Sequence, residues 1–186
     1  MVEYNLTNSE LAILSLIAER PRHGYELEQV IEERGMRAWR EIAFSSIYFV
    51  LARLVKQGLA AAALQPAAGR GPAKKVFSAT KPGHDALREG IRQALATSEP
   101  GGQRFLLGLS CLPLLGSAEI HTALQERITT FDAKIKQLAA HPALSQPGFP
   151  AHVSAMFNYS LSQLRAERDW SQNFINSYQE GEIQHG

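Results

Sequence analysis

The sequence predicts a mainly α-helical protein with one small β-hairpin, and three observations carry that expectation. Apolar residues recur at spacings of three and four through most of the chain, the pattern of helices with one buried face. A single Gly/Pro-rich loop, "QPAAGRGPAKK", separates two short segments that fit strands. The composition is that of an ordinary globular chain, with 186 residues, 45% hydrophobic and 20% charged. That length allows one full domain and a smaller second unit.

The elements follow in order. "TNSELAILSLIAE" opens a helix, with Thr7 and Glu10 spaced as a capping box and Leu11, Leu14 and Ile17 on one side. Pro21 and Gly24 in "RPRHGYELEQVIEERG" end it, and Tyr25, Leu27, Val30 and Ile31 build a second helix that stops at Gly35. A connection through Trp39 and Ile42 leads to "FSSIYFVLARLVKQGL". Here Ser45 and Ser46 suit a helix start and Gly58 suits its left-handed close. Ile47, Leu51, Leu54 and Val55 make the apolar stripe, and the opposite face carries Ser45, Phe49, Ala52, Arg53 and Lys56. "LAAAAL" is a strand by position more than by propensity, "VFSAT" is its partner, and Thr80 caps a fourth helix with Pro82 in its first turn.

"TSEPGGQRF" has the composition of a linker and divides the chain into residues 1–97 and 98–186. Beyond it, Ile120, Leu124, Ile128, Phe131, Ile135 and Leu138 form a coiled-coil-like seam. After "HPALSQPGFP" a last helix carries Val153, Phe157, Leu161 and Leu164, then Trp170, Phe174 and Tyr178. Two such helices have more apolar surface than an exposed pair tolerates. Dimerisation through the seam, with Trp170 and Phe174 behind it, is the expected outcome; a helical hairpin that buries its own seam is the alternative.

Charge gives the first functional pointer. Lys plus Arg total 19 and Asp plus Glu 18, so the sum is uninformative. The distribution is not: Arg53, Lys56, Arg70, Lys74, Lys75 and Lys81 fall between positions 44 and 81, where no acid occurs. Three helices followed by a two-stranded ribbon is the order of a winged helix-turn-helix, whose third helix enters the major groove while the hairpin tip touches the flanking backbone. Both elements are basic here. A local positive surface on a near-neutral chain fits a nucleic-acid site. The candidate contacts are Ser45, Ser46, Tyr48, Phe49, Arg53 and Lys56 on the helix, with Arg70, Lys74 and Lys75 on the wing.

With those residues in place, the chain resembles the PadR family of bacterial transcription regulators. The matching pieces are "LAILSLIAERPRHGYEL", "SSIYFVLARLVKQGL", "GRGPAKKVFSAT" and "KPGHDAL", running in order from Leu11 to Ile91. Phe77 stands where the family usually has Tyr, and Phe49 where it often has Pro. The C-terminal part, down to "ERDWSQNFI", is similar to the family's helical dimerisation region. The resemblance implies a homodimeric winged-helix repressor on double-stranded DNA, an inverted-repeat operator, released by a small effector; some members respond to phenolic acids and others to aromatic drugs. Trp39 and Trp170 are the candidates for lining an effector pocket.

Other chemistry finds no support in the residues. The six histidines show no pair at metal-ligand spacing, so no metal or other cofactor is expected. "GRGPAKK" lacks the order of a phosphate loop, and "GLSCL" lacks a nucleophile elbow. Cys111, the only cysteine, excludes an internal disulfide and reads as a small core residue. No catalytic constellation is present, so an enzyme is not expected. "MVEYNLTNSE" lacks a signal pattern and no apolar run reaches the roughly 20 residues that span a bilayer, which points to the cytoplasm. The competing reading keeps the winged-helix shape and gives its basic face to an acidic protein partner.

Overall fold

A computed structural model describes residues 5–34, 47–66, 74–99, 102–145 and 148–179. The chain is mostly helical with a small three-stranded antiparallel sheet, and it divides into two compact units. One comprises Met1–Ile91 with Leu106–Leu114, the other Arg92–Phe105 with Leu115–Gly186. The two units interleave in sequence.

The first unit contains α1 (Asn8–Glu19), β1 (Arg22–His23), α2 (Gly24–Glu33), α3 (Ile47–Lys56), β2 (Ala60–Gln65), β3 (Lys74–Ala79) and the start of α4 (Lys81–Ala96). The expected capping box forms: Glu10 N–H donates to Thr7 Oγ1 at 3.3 Å and Thr7 N–H to Glu10 Oε2 at 2.8 Å. Leu11, Leu14 and Ile17 are buried, with Leu27 and Ile31 of α2 and Ile47, Leu51 and Leu54 of α3. Two positions depart from the expected stripes. In α3 it is Val50, not Val55, that is buried, because 47, 50, 51 and 54 follow the i, i+3, i+4, i+7 face and 55 falls off its edge. In α2, Tyr25 is exposed and Val30 only half-buried.

Gly58 closes α3 with φ +74°. Leu59 N–H donates to Leu54 O at 2.9 Å and Gly58 N–H to Val55 O at 3.0 Å, the paired bonds of a Schellman end. The wing follows at once. β2 and β3 pair antiparallel from Ala60↔Ala79 to Gln65↔Lys74. The sheet has a third strand that the sequence did not suggest: β1 pairs β3 through Arg22↔Phe77 and His23↔Val76. Its two residues are too few for any periodicity.

Arg22 is buried on that strand, its Nε donating to Leu16 O at 2.9 Å and its Nη2 to Glu19 at 2.9 Å. Arg34, at the end of α2, grips the same carboxylate at 2.6 and 2.8 Å. The Arg34 guanidinium holds the Glu19 carboxyl below its ordinary range. One carboxylate thus ties the ends of α1 and α2 to the edge strand. Cys111 is buried in this unit, and burial pushes its thiol pKa up.

The second unit is built on α6 (Ser117–Ala139) and α8 (Ala151–Gln179), with the short α7 (Pro142–Ser145) between them; of α5 (Gln103–Ser110) only Gln103–Phe105 belong to it. α6 and α8 run antiparallel: Arg127 reaches Ser171, and Asp132 reaches Arg168. Ile120, Leu124, Ile128 and Phe131 are buried inside this one chain, packed where α6 meets α8; Ile135 and Leu138 are half-buried. These are core residues, and the first four are not free to form a seam with a second copy. Heptad-like spacing specifies that a helix partner exists, not which chain supplies it. Here α8 supplies it.

The outer side of α8 is different. Trp170 stacks on Phe174 at 5.1 Å and Phe174 on Tyr178 at 5.9 Å, while Phe105 meets Trp170 edge-on at 5.6 Å. Met156 and Tyr159 are exposed farther up the same helix. At about 100° per residue, 156, 159, 163, 170 and 174 lie on one side, away from buried Leu161 and Ile175. Among the described residues no helix is long and apolar enough to cross a membrane.

Candidate nucleic-acid interface

The outward face of α3 carries Tyr48 and Phe49, 60% and 66% exposed, with Ala52, Arg53, Val55 and Lys56. Two large aromatics on a helix that stays in water are costly unless something covers them. Tyr48 is held in place by Gly24 in the first turn of α2. A Cβ at that position would lie 2.5 Å from Tyr48 Cε1 and 2.9 Å from its hydroxyl. The absent side chain is therefore what lets the Tyr48 ring lie against the start of α2.

The wing contributes from β3. Lys74 and Lys75 are strand residues, opposite Gln65 and Leu64, and not loop-tip residues as the Gly/Pro spacing suggested. Lys74 Nζ stands 5.0 Å over the Tyr25 ring, and Tyr25 stacks on His23 at 5.4 Å. His23 Nδ1 lies 2.9 Å from Lys75 O. The start of α2 is thus locked to β3.

Together these residues wall a cavity of about 570 Å³. Tyr48, Ala52 and Val55 form one side, His23, Gly24 and Tyr25 the end, and Ala62, Lys74, Lys75 and Phe77 the floor. No acid among the described residues lines it. Two ammonium groups and the rings of His23, Tyr25 and Tyr48 converge on one cleft, at the start of α2, where Glu26 Oε2 accepts from His23 N–H at 2.6 Å. The arrangement suits a phosphodiester backbone passing between helix and wing.

Of the residues the sequence nominated, Tyr48, Lys74 and Lys75 are brought together at this cleft, and Phe49 and Lys56 stand exposed beside it on α3. Arg53 is placed differently. Its Nε is 3.0 Å from Glu10 Oε1, so the charge read as free on the outward face is paired with α1. Ser45, Ser46, Arg70 and Trp39 lie outside the described residues. His23 and Tyr25 were missed: Tyr25 fitted an apolar helix period, and only its place one residue after the Gly24 break hinted at a cleft-lining role.

A three-helix unit with a β-ribbon and a cationic cleft beside its third helix is a winged helix-turn-helix, the architecture in which such a helix enters the major groove. Residues 13–89, which lie within the winged-helix unit, match the family model described as the Transcriptional regulator PadR-like family. Solved structures with similarity over nearly the whole chain include Bacillus subtilis PadR in complex with operator DNA, at 19% identity and TM-score 0.43, covering 90% of this chain and 97% of that one. A PadR-like transcriptional regulator from Bacillus cereus is 15% identical with TM-score 0.41, covering 93% and 99%. Bacillus subtilis PadR in complex with p-coumaric acid is 18% identical with TM-score 0.37, covering 91% and 98%. No curated protein matches the chain.

Proposed function

We propose that this protein is a sequence-specific, cytoplasmic DNA-binding repressor that acts as a homodimer on an inverted-repeat operator. The observation that carries the reading is the cleft between α3 and the wing, lined by Tyr48, Tyr25, Lys74 and Lys75 and by no acid among the described residues. With α3 in the major groove, Tyr48, Phe49 and Lys56 face base edges and the near backbone, and the cleft takes the phosphates that border the groove. An acidic protein partner fits less well, since a cleft lined by rings and two lysines beside a helix that exposes Tyr48 and Phe49 matches an anionic backbone with stacked bases.

Lys74 contacts phosphate in this arrangement and reads no base. Lys74→Ala is therefore expected to weaken binding to every duplex alike, and to make the log–log salt slope shallower by about one unit. Fluorescence anisotropy titrations between 50 and 200 mM salt (about a fourfold range), on the duplex that the wild type selects from a randomised pool and on an unrelated one, test both claims. A loss confined to the selected duplex, at unchanged slope, contradicts the assignment.

The dimer contact moves from the α6 seam to the outer stripe of α8. Leu124→Glu or Ile128→Glu would put a charge into the core of one chain and unfold the unit. Met156→Glu with Tyr159→Glu changes only exposed positions. This pair is expected to leave the helical content intact and raise the dimer dissociation constant by at least about 100-fold. Sedimentation equilibrium gives the answer, and an unaltered dimer excludes this face. Release by a small aromatic effector belongs to the same reading; the family resemblance and the ladder Phe105, Trp170, Phe174 and Tyr178 support it.

A further inference from the structure

Glu10 is a carboxylate 2% exposed in a core of leucines and isoleucines. A buried charge of this kind is costly unless compensated. Half of the compensation is local: Oε2 accepts from Thr7 N–H and from Thr7 Oγ1, both at 2.8 Å. The other oxygen, Oε1, has no aligned hydrogen-bond donor among the described residues. What faces it is Arg53 Nε from α3, at 3.0 Å.

The two residues belong to different elements. Glu10 is fixed on α1 by its own cap. Arg53 lies two turns into α3, between the exposed residues Tyr48, Phe49, Ala52 and Lys56. The remaining contact of α3 with the core is apolar, through Ile47, Val50, Leu51 and Leu54. Apolar packing is non-directional, so a small rotation or slide of a ten-residue helix costs it little. An ion pair to a buried, immobile carboxylate does resist such motion.

We propose that Arg53 is a positioning residue: pairing with Glu10, it fixes the rotation and register of α3 on α1 and thereby aims Tyr48, Phe49 and Lys56. This rests on the reading of α3 as a recognition helix, but the pairing itself does not. Arg53, half-exposed, acts on DNA through the neighbours that it aims. Specific recognition, which needs sub-ångström placement of side chains at base edges, depends on the pair; attraction to any phosphate backbone does not.

The test compares full-length Arg53→Met, Glu10→Gln and the double variant with wild type. Met keeps the apolar stem of Arg53, and Gln keeps the Thr7 cap. Each is titrated on the duplex selected by wild type from a randomised pool and on an unrelated duplex. The expected result is a loss of about tenfold on the selected duplex for each single variant, since breaking a pair that leaves one buried charge alone costs more than a surface pair. The double variant should lose no more than either single, binding to the unrelated duplex should hold, and the salt slope should not change.

A direct phosphate contact gives the opposite pattern. Arg53→Met would weaken both duplexes and make the slope shallower by about one unit, while Glu10→Gln would leave binding unchanged or tighter; that overturns the proposal. If Glu10→Gln fails to fold, the slope of Arg53→Met alone decides. If the wild type selects no duplex, the recognition reading fails, and the pairing is read from amide hydrogen exchange over Ile47–Lys56. Faster exchange in Arg53→Met supports the pairing, and unchanged exchange refutes it.

Discussion

Gly83→Ala is expected to lower the stability of the winged-helix unit by about 3 kcal/mol or more, the upper end of what overpacking does. Gly83 lies buried in the first turn of α4. A Cβ there would land on the Leu59 carbonyl oxygen, 2.9 Å from its carbon and 3.4 Å from its Cα. These are backbone atoms, and they are pinned. Leu59 O accepts from Thr80 N–H at 3.0 Å, Thr80 Oγ1 donates to Gly58 O at 2.6 Å, and Gly83 N–H donates back to Thr80 Oγ1 at 3.1 Å.

Helix propensity has the opposite sign, since alanine is better than glycine by about 1 kcal/mol. Steric conflict with a fixed peptide exceeds that gain. Urea unfolding followed by circular dichroism should show a lower midpoint at unchanged m-value. The wing starts at Ala60, so DNA affinity should fall with stability. A variant as stable as wild type would mean that α4 and the wing base do not touch.

The parts of this fold that were legible are those in which short-range chemistry decides. Thr7 and Glu10 are three residues apart, and their capping box formed as spaced. Gly58 closed α3, and Thr80 reached the first turn of α4, because both act within one turn. The wing was legible because a Gly/Pro loop between two short segments has few alternatives. What escaped depends on distant partners. β1 is two residues long and is a strand only because β3 lies beside it. Arg53 sits on a polar face by periodicity, yet its partner is on α1. The apolar stripe of α6 was legible from its spacing, but spacing cannot say that α8 fills it.

The interface shows the same division. Its positive charge was visible as a long stretch without acids, and Lys74 and Lys75 were nominated on that ground. Their position on a strand, beneath Tyr25, needed the register Gln65↔Lys74. Tyr25 and His23 were invisible as site residues because the sheet brings them to β3 from more than 50 positions away, as the His23–Lys75 contact shows. Gly24 is the informative case. It reads as a helix breaker from sequence, and its second role, seating Tyr48, exists only once α2 and α3 are packed.

Arg127→Ala should destabilise the second unit by about 3–5 kcal/mol, the cost of breaking a buried pair and emptying its site. The side chain is 0% exposed. Its Nη2 donates to Glu167 at 2.5 Å and its Nε to Ser171 Oγ at 3.2 Å, both on α8. The guanidinium carbon stands 3.6 Å from the Phe105 ring centroid and 4.7 Å from that of Phe131. Burial drags its pKa below the ordinary arginine value, yet the group stays charged, since arginine does not lose its proton in proteins. Nη1 has no hydrogen-bond partner among the described residues.

The site therefore contains a large favourable packing contribution and an electrostatic one that is incompletely compensated. Alanine removes the packing, opens a void between two aromatic rings and removes the Arg127–Glu167 pair. Methionine with Glu167→Gln removes the charges but fills most of the void, and swaps of this kind are often neutral or stabilising. The double variant is expected within about 1 kcal/mol of wild type, well short of the alanine loss. Guanidinium denaturation of both proteins, followed by circular dichroism, makes the comparison. Equal losses in the two would mean that the ion pair, and not the filled space between Phe105 and Phe131, holds α6 to α8.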